Sequence, residues 1–98
     1  MPRYEIVLKG SAVADMDRLR RYDATAIADA MQRHLSDQPA RQSKGRIKRL
    51  RGIENPDYRL SVGDYRVFYN VIDEAQRVDV LRVMHKDETR AYYQELEP

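Results

Sequence analysis

The chain has 98 residues, a formal net charge of +2 and no cysteine. This length fits one domain (1–98) that can fold without cross-links, and the lack of cysteine excludes disulfides and thiolate metal sites. No apolar run approaches the roughly 18 residues that span a membrane, and the first residues lack the apolar segment of a signal peptide. We therefore expect a cytoplasmic protein with no membrane partner.

The first half of the chain predicts one strand followed by two helices. Residues 3–10 alternate between apolar and polar side chains, which is typical of a strand. Helical spacing of apolar residues predicts helices over 12–21 and 24–37, with Ser11 and Asp23 as their N-caps. We expect these helices to pair as an antiparallel hairpin. The apolar stripe of the second one consists of Ile27, Met31 and Leu35.

The second half of the chain is predicted to be rich in strands. A short strand is expected within 47–52, before a turn at 53–57 that contains the breaker Asn-Pro. Three strands joined by tight turns follow, and a helix over 87–96 ends the pattern, with Asp87 as its cap. The three strands are predicted over 58–62, 65–73 and 78–85.

The resulting order, β-α-α-β-β-β-α, predicts an α+β fold. Sequential strands with short turns form an antiparallel meander, and the first strand is expected to join it at one side. The helical hairpin would then pack on one face of the antiparallel sheet, which gives a sandwich of two layers.

Positive charge is concentrated in one block. Residues 41–86 carry a net charge of +5, whereas 1–40 are neutral and 87–98 carry −3. The densest part, 41–51, holds six Lys or Arg and no acid. Such a field suits a polyanion such as nucleic acid, and the alternative is a solvated loop that keeps the protein soluble. The RNA-binding candidates in this segment are Lys44, Arg46, Lys48, Arg49 and Arg51.

Arginine also occurs inside the predicted strands. In the second of the three sequential strands, regular alternation places Arg66 on the face opposite Val67. In the third strand it places Arg82 on the same face as Val78 and Val80. The side on which each arginine lies decides whether the two can act together.

If the arginine faces coincide, a cationic surface forms on the side of the sheet away from the helices. Arg66 and Arg82 would belong to it, with Arg59 and Lys86 at its margins. Cations interleaved with aromatic side chains can bind a phosphate backbone and stack on an unpaired base. The alternative is a hydrated sheet face on which the arginines pair with nearby carboxylates. The carboxylates available for such pairs are Asp57, Asp64 and Asp79.

Two motifs, Y-R-L-x-V-G-D-Y-R-V-x-Y and V-x-V-L-R-V-x-H, precede a C-terminal helix that carries tyrosine. With them, the segment 45–93 resembles the RelE/ParE superfamily of bacterial toxins, and the RelE-like branch is favoured. The resemblance implies a type II toxin–antitoxin system. A small antitoxin, RelB-like or similar and usually encoded alongside, would hold the toxin inactive in a hetero-oligomer. RelE-like members enter the A site of the 70S ribosome and cut the mRNA there, which stops translation.

In RelE-like cleavage the ribose 2′-OH attacks the adjacent phosphate. Cations stabilise the developing charge, so neither a metal nor another cofactor is needed. The resemblance implies that Arg66 contacts the scissile phosphate and that Arg59 supports it. It also implies that Lys86 is a second catalytic cation, and that Tyr92 stacks on the RNA base or assists proton transfer. Arg82 would add to RNA binding.

Ser61 departs from the RelE-like pattern, because some of those toxins carry a lysine there that is implicated as a base. His85 is the substitute that the sequence offers, since imidazole titrates near neutral pH. Structural roles are the alternatives. His85 would then bond to a backbone carbonyl, Tyr92 would pack the last helix onto the sheet, and Arg82 would brace acidic neighbours.

Two other functions remain open at this point. ParE-like members inhibit DNA gyrase and perform no chemistry, and V-L-R-V-M-H resembles that branch as much as the RelE-like one. A non-toxic relative that only binds nucleic acid or an antitoxin is the third hypothesis.

Overall fold

The computed structural model describes residues 3–97 and confirms the predicted α+β fold. Short 3-10 turns at Asp73–Ala75 and Lys86–Glu88 flank the last strand. The segment predicted as a strand within 47–52 contains a strand of three residues. The elements are β1 (Glu5–Leu8), α1 (Gly10–Asp17), α2 (Arg21–Leu35), β2 (Ile47–Arg49), β3 (Tyr58–Val62), β4 (Tyr65–Ile72), β5 (Arg77–His85) and α3 (Thr89–Leu96).

The five strands form one sheet in the order β1-β5-β4-β3-β2. The neighbours from β5 to β2 are antiparallel, which confirms the predicted meander. The first strand joins at the β5 side and runs parallel to it, with Glu5 opposite Arg77 and Leu8 opposite Val80. The turn between β3 and β4 starts at Gly63, whose φ of +55° suits the first position of a two-residue hairpin turn.

One face of the sheet, which we call the inner face, packs against α1 and α2. The predicted stripe of α2 is buried there, together with Ala12 of α1. Val67 and Tyr69 of β4 pack against it from the sheet. Because this face consists of apolar side chains from both layers, it forms the main core of the protein. No helix in the described part of the chain is long and apolar enough to cross a membrane.

The opposite face, the outer face, is covered in part by α3. Tyr92 of α3 packs against Phe68 and Met84 of the sheet, with Tyr93 and Leu96 at the edge of this smaller cluster. The helix therefore adds a partial third layer to the two layers that the sequence predicts. The outer face over β2 and β3 is left without a covering helix.

A β-bulge in β5 changes the faces of its residues. Phe68 is opposite Arg82, but the next residue, Tyr69, is opposite Val80, so Leu81 has no partner on β4. The extra residue reverses the alternation beyond it. The prediction that Arg82 shares a face with Val78 and Val80 is therefore wrong. Arg82 lies on the outer face, as Arg66 does, whereas Val80 belongs to the inner core.

The predicted helix caps are also wrong. The N-cap positions of α1 and α2 are Lys9 and Arg20, and neither makes a side-chain capping bond. Asp23 instead accepts a hydrogen bond of 3.2 Å from the Tyr65 hydroxyl, which ties α2 to the sheet. The last helix begins at Thr89, because the residues around Asp87 form a 3-10 turn. A polar side chain near a helix start can bond to the sheet instead of capping the helix, as Asp23 does.

Candidate functional site

The uncovered part of the outer face contains a cleft of about 480 Å³, the front cleft. The sheet register places its cations: Lys48 of β2 is directly opposite Arg59 of β3, and Arg66 of β4 is opposite Ser61 one row further on. The principal side chains lining the front cleft are Lys48, Arg51, Arg59, Arg66 and Tyr93.

Arg59 and Arg66 are held by neutral groups. Arg66 donates to the backbone carbonyls of Gly63 and Tyr65, at 3.0 and 2.9 Å, and Arg59 donates to the Ser61 hydroxyl. Across residues 3–97, none of the five Lys and Arg residues that line the front cleft, Arg49 included, forms an ion pair. Like charges directly opposite each other on adjacent strands are destabilising. An anion bound near Lys48 and Arg59 would relieve this repulsion.

Tyr93 forms the wall of the front cleft on the α3 side. Its ring stands edge-on to Phe68, with 5.7 Å between centroids and an interplanar angle of 88°. Burial raises the pKa of its hydroxyl, while the charges of Arg59 and Arg66 act to lower it. The net pKa is raised, so Tyr93 is a protonated hydroxyl at neutral pH and can donate a hydrogen bond to an anion in the cleft.

Tyr92, the tyrosine to which the resemblance assigns a role, does not line the front cleft. It is 9 % exposed and packs with its ring centroid 4.8 Å from that of Phe68. The structure therefore gives Tyr92 the packing role and presents Tyr93 to the cleft. Two consecutive tyrosines point about 100° apart on a helix. Only the position of the sheet could decide which of them packs.

Arg82 is engaged in a salt bridge at the edge of β5. Its Nε and Nη2 donate to the two carboxylate oxygens of Asp15 in α1, at 2.7 and 3.1 Å. Asp15 is 5 % exposed and also accepts the backbone N–H of Val83 at 2.8 Å. The guanidinium lies 5.6 Å from the centre of the Tyr92 ring. Hydrogen bonding to Asp15 raises the pKa of Arg82, and this arginine braces α1 against the sheet.

His85 lies at the end of β5 and is opposite Tyr65, on the inner side of the sheet. The two rings meet edge to face with 5.5 Å between centroids. Its Nδ1 accepts the backbone N–H of Asp87 at 3.1 Å, so the neutral ring carries its proton on Nε2. The structure thus does not bring His85 into the front cleft.

Lys86 follows His85 and turns toward the β3–β4 hairpin. Its ammonium is 3.4 Å from the carboxylate of Asp64, and its backbone N–H donates to the Asp64 carbonyl at 2.7 Å. It does not line the front cleft. Of the four residues predicted to be catalytic, Arg66 alone lies in this cleft.

The basic segment 41–51 is distributed around β2. Lys48 and Arg51 line the front cleft. Arg49 also lines this cleft, but its guanidinium donates to the Tyr58 hydroxyl at 3.1 Å and lies over that ring. Arg46 faces the C-terminal end of α2, and Lys44 lies in the loop between the two sides. The charge of this segment therefore surrounds the edge strand.

Metal-binding side chains do not cluster in the described part of the chain. No group of three or more His, Cys, Asp or Glu residues there is placed to hold a metal ion. The front cleft, lined by cations, is suited to an anion.

A family model of the ParE toxin of type II toxin–antitoxin systems, parDE, matches residues 6–90. The chain belongs to the ParE toxin family. This membership confirms the predicted place in the RelE/ParE superfamily and makes the protein a type II toxin. No curated protein matches the sequence.

Solved structures similar to this toxin include RelE proteins. The Mycobacterium tuberculosis RelBE2 toxin–antitoxin complex contains a chain 27% identical, with a TM-score of 0.68, covering 85% of this toxin and 98% of that chain. The Pyrococcus horikoshii RelE–RelB complex contains a chain that is 22% identical with a TM-score of 0.64, and the match covers 88% of this toxin and 97% of that chain. The isolated Escherichia coli RelE toxin is 20% identical with a TM-score of 0.65, and the match covers 95% of this toxin and 99% of that chain. The RelE-like fold is thereby confirmed.

Proposed function

We propose that this toxin is a ribosome-dependent endoribonuclease that binds mRNA in the front cleft. The observation that carries the proposal is the convergence of Lys48, Arg51, Arg59 and Arg66 on one cleft without a carboxylate partner among residues 3–97. Unpaired cations at fixed spacing favour a phosphodiester over a neutral ligand. Tyr93 adds an aromatic wall on which a base can stack.

The proposed reaction is attack of a ribose 2′-OH on the adjacent phosphorus, with loss of the 5′-oxygen. The products are a 2′,3′-cyclic phosphate and a 5′-OH end. Arg59 and Arg66 would stabilise the charge that develops on the non-bridging oxygens of the phosphorane. Since both are fixed by neutral acceptors, they need little reorganisation to do so.

Proton transfer requires a donor and an acceptor in the same cleft. Tyr93, kept protonated by burial, is the side chain placed to donate to the leaving 5′-oxygen. The lining contains no histidine and no carboxylate, so the proposal passes the 2′-OH proton to water in the cleft. Electrostatic stabilisation would carry more of the rate than acid–base catalysis. The proposed mechanism therefore uses Tyr93 in place of Tyr92 and gives His85 no part in the reaction.

The proposed partners are the 70S ribosome with its mRNA, and an antitoxin. The similar structures from Mycobacterium tuberculosis and Pyrococcus horikoshii are complexes of RelE with RelB, which supports an antitoxin for this toxin. A partner that covers the front cleft or neutralises its cations would switch off RNA binding. The cytoplasm, where ribosomes are found, is the proposed compartment.

Cleavage in a translating cell-free extract tests the proposal. Purified toxin should cut ribosome-bound mRNA and leave 5′-OH ends, and Arg66→Ala should strongly reduce the cuts. Arg90→Ala is the matched control, because Arg90 is exposed and does not line the front cleft. Messages that stay intact with the wild-type toxin in every codon context would exclude the nuclease.

Gyrase inhibition is a second candidate function, favoured by the ParE family match. The lack of histidine and carboxylate in the front cleft fits a toxin that binds without catalysis. A supercoiling assay with purified DNA gyrase separates the two functions. A pure RNA nuclease leaves supercoiling unchanged, whereas a gyrase inhibitor blocks it and leaves mRNA intact.

A further inference from the structure

A second cleft lies behind β2, at the C-terminal end of α2, and we call it the rear cleft. It has a volume of about 360 Å³. Three arginines from two segments line it: Arg33 from the last turn of α2, and Arg41 and Arg46 from the following loop. His34 also lines it, and Asp37 is the lone carboxylate among its lining residues. The charge of the lining is therefore clearly positive.

The arginines of the rear cleft are as unengaged as those of the front cleft. Arg41 donates to the side-chain oxygen of Gln38 at 2.9 Å, and none of the three forms an ion pair within residues 3–97. The pKa of His34 is lowered, first by burial and then by the charges of Arg46 and Arg33. The positive potential of Arg33 and Arg46 thus reaches the half-buried ring of His34.

The two clefts are joined around the edge strand β2. A shallower groove between them is lined by Lys44 and Lys48. It shares Ser43 and Ile47 with the rear cleft and Lys48 with the front cleft. Cations therefore follow one another from the rear cleft, over the edge of the sheet, into the front cleft. A flexible polyanion with regularly spaced charges suits such a path.

We propose that the rear cleft binds the phosphodiester backbone of the same RNA strand that enters the front cleft, so that the strand bends around β2. The proposal rests on the proposed function for the choice of RNA. An acidic protein segment fits less well, because Ile47 is the one apolar residue of the lining and is 5 % exposed. Protein interfaces rely on apolar and aromatic anchors at their centre.

Binding of RNA oligonucleotides of two lengths to the full chain tests the rear cleft. The probes are a 20-mer and a 4-mer of 2′-O-methyl RNA, which cannot undergo 2′-OH attack. We expect the triple variant Arg33→Gln, Arg41→Gln, Arg46→Gln to bind the 20-mer about ten- to a hundredfold more weakly at 0.1 M salt. Its slope of log K against log salt should fall by roughly 2, since each phosphate contact to single-stranded nucleic acid contributes about 0.7. The 4-mer, which fills the front cleft alone, should bind to both proteins alike.

The matched control is Arg3→Gln, Arg21→Gln, Arg90→Gln, which removes the same charge from exposed sites outside both clefts. It should keep nearly the full affinity and slope. Equal losses in the two triple variants would show that net charge alone matters, and would overturn the proposal. Tighter binding of a poly-glutamate peptide than of the 20-mer, dependent on the same three arginines, would also overturn it in favour of a protein partner.

The ring of His34 gives a local readout by NMR. Arg33, Asp37, Arg41 and Arg46 are the charged groups that line the cleft with it. A phosphate among the arginines offsets their charge, so the 20-mer should raise the pKa of His34 and the 4-mer should not. A 20-mer that binds without moving this pKa would contradict the proposal. Failure of mRNA cleavage with these binding results intact would refute the nuclease and leave the rear cleft in place.

Discussion

The arginines in the two halves of the outer face differ in whether a carboxylate neutralises them. Over β4 and β5, α3 covers the sheet and Arg82 is neutralised by Asp15. Over β2 and β3 no helix within residues 3–97 covers the sheet, and the acceptors of Arg59 and Arg66 in that range are neutral. The residue type is the same, and both halves expose it to the same side of one sheet. A carboxylate contributed by a distant helix makes the difference between a structural and an available cation.

Replacing one arginine of each half with alanine is the strongest test of this contrast. Arg66→Ala should lower the rate of mRNA cleavage by roughly 10²- to 10³-fold, the usual effect of losing one preorganised electrostatic group, with little change in Tm. Arg82→Ala should lower Tm by roughly 10 °C or more, because it leaves the buried carboxylate of Asp15 short of its partner. Thermal melts beside cleavage rates check both. Equal melting temperatures for the two variants would remove the distinction.

Asp15 provides the carboxylate that neutralises Arg82 in the half of the outer face covered by α3. Asp15→Ala removes the acceptor of Arg82, of Arg18 and of the Val83 N–H together, so we expect a loss of about 3 kcal/mol in the free energy of unfolding. Asp17→Ala is the control, since Asp17 is exposed on the same helix. Urea unfolding of both variants measures the effect. A loss no larger than that of the control would mean that the salt bridge adds nothing to the fold.

The two tyrosines of α3 allow the halves to be compared by removing one hydroxyl at a time. Tyr92 packs in the covered half, whereas Tyr93 lines the front cleft. Tyr93→Phe should slow cleavage about tenfold or more by removing the proposed proton donor, whereas Tyr92→Phe keeps the packing ring and should leave the rate unchanged. Both variants should fold normally, which circular dichroism can verify. A rate that falls for Tyr92→Phe and not for Tyr93→Phe would restore the role that the resemblance gave to Tyr92.

A smaller effect is expected from a second neutralised arginine at the far end of β5. Arg77 donates to both oxygens of Asp79, at 2.7 and 3.1 Å, and this hydrogen bonding lowers the pKa of Asp79. Because the folded pKa lies below the unfolded one, the stabilisation is present above about pH 4 and is lost as the pH falls through the folded value.

We therefore expect Asp79→Asn to cost about 1–2 kcal/mol at pH 7 and nearly nothing at pH 2. Urea unfolding at the two pH values measures the difference. Asp17→Asn serves as the control, because an exposed carboxylate should show no comparable pH dependence. A cost for Asp79→Asn that is the same at both pH values would contradict the assignment.

Local sequence patterns predicted the elements because those depend on neighbours in the chain. The stripe of Ile27, Met31 and Leu35 defines α2, and the glycine turn at Gly63 defines the β3–β4 hairpin. Arg66 was placed on the correct face for the same reason, since β4 is regular between its ends.

The candidate site was harder to predict because it depends on contacts between distant residues. Asp15 and Arg82 are 67 positions apart, so their pairing leaves no local signal. Tyr92 and Tyr93 are chemically identical neighbours, and only docking of α3 separates them. The rear cleft was missed because Arg33 belongs to a helix and Arg46 to a loop. The excess of charge in 41–51 was visible, but its division between two sides of β2 was not.

The bulge at Leu81 means that β5 consists of two half-strands whose alternation is out of phase by one position. Val78 and Val80 face the core before it, and Val83 does so after it. A relative without the bulge needs one residue fewer here to present the same side chains. Homologous positions in such a pair correspond only if an alignment opens a single-residue gap at Leu81, and an ungapped alignment would equate Arg82 with a core position of the relative.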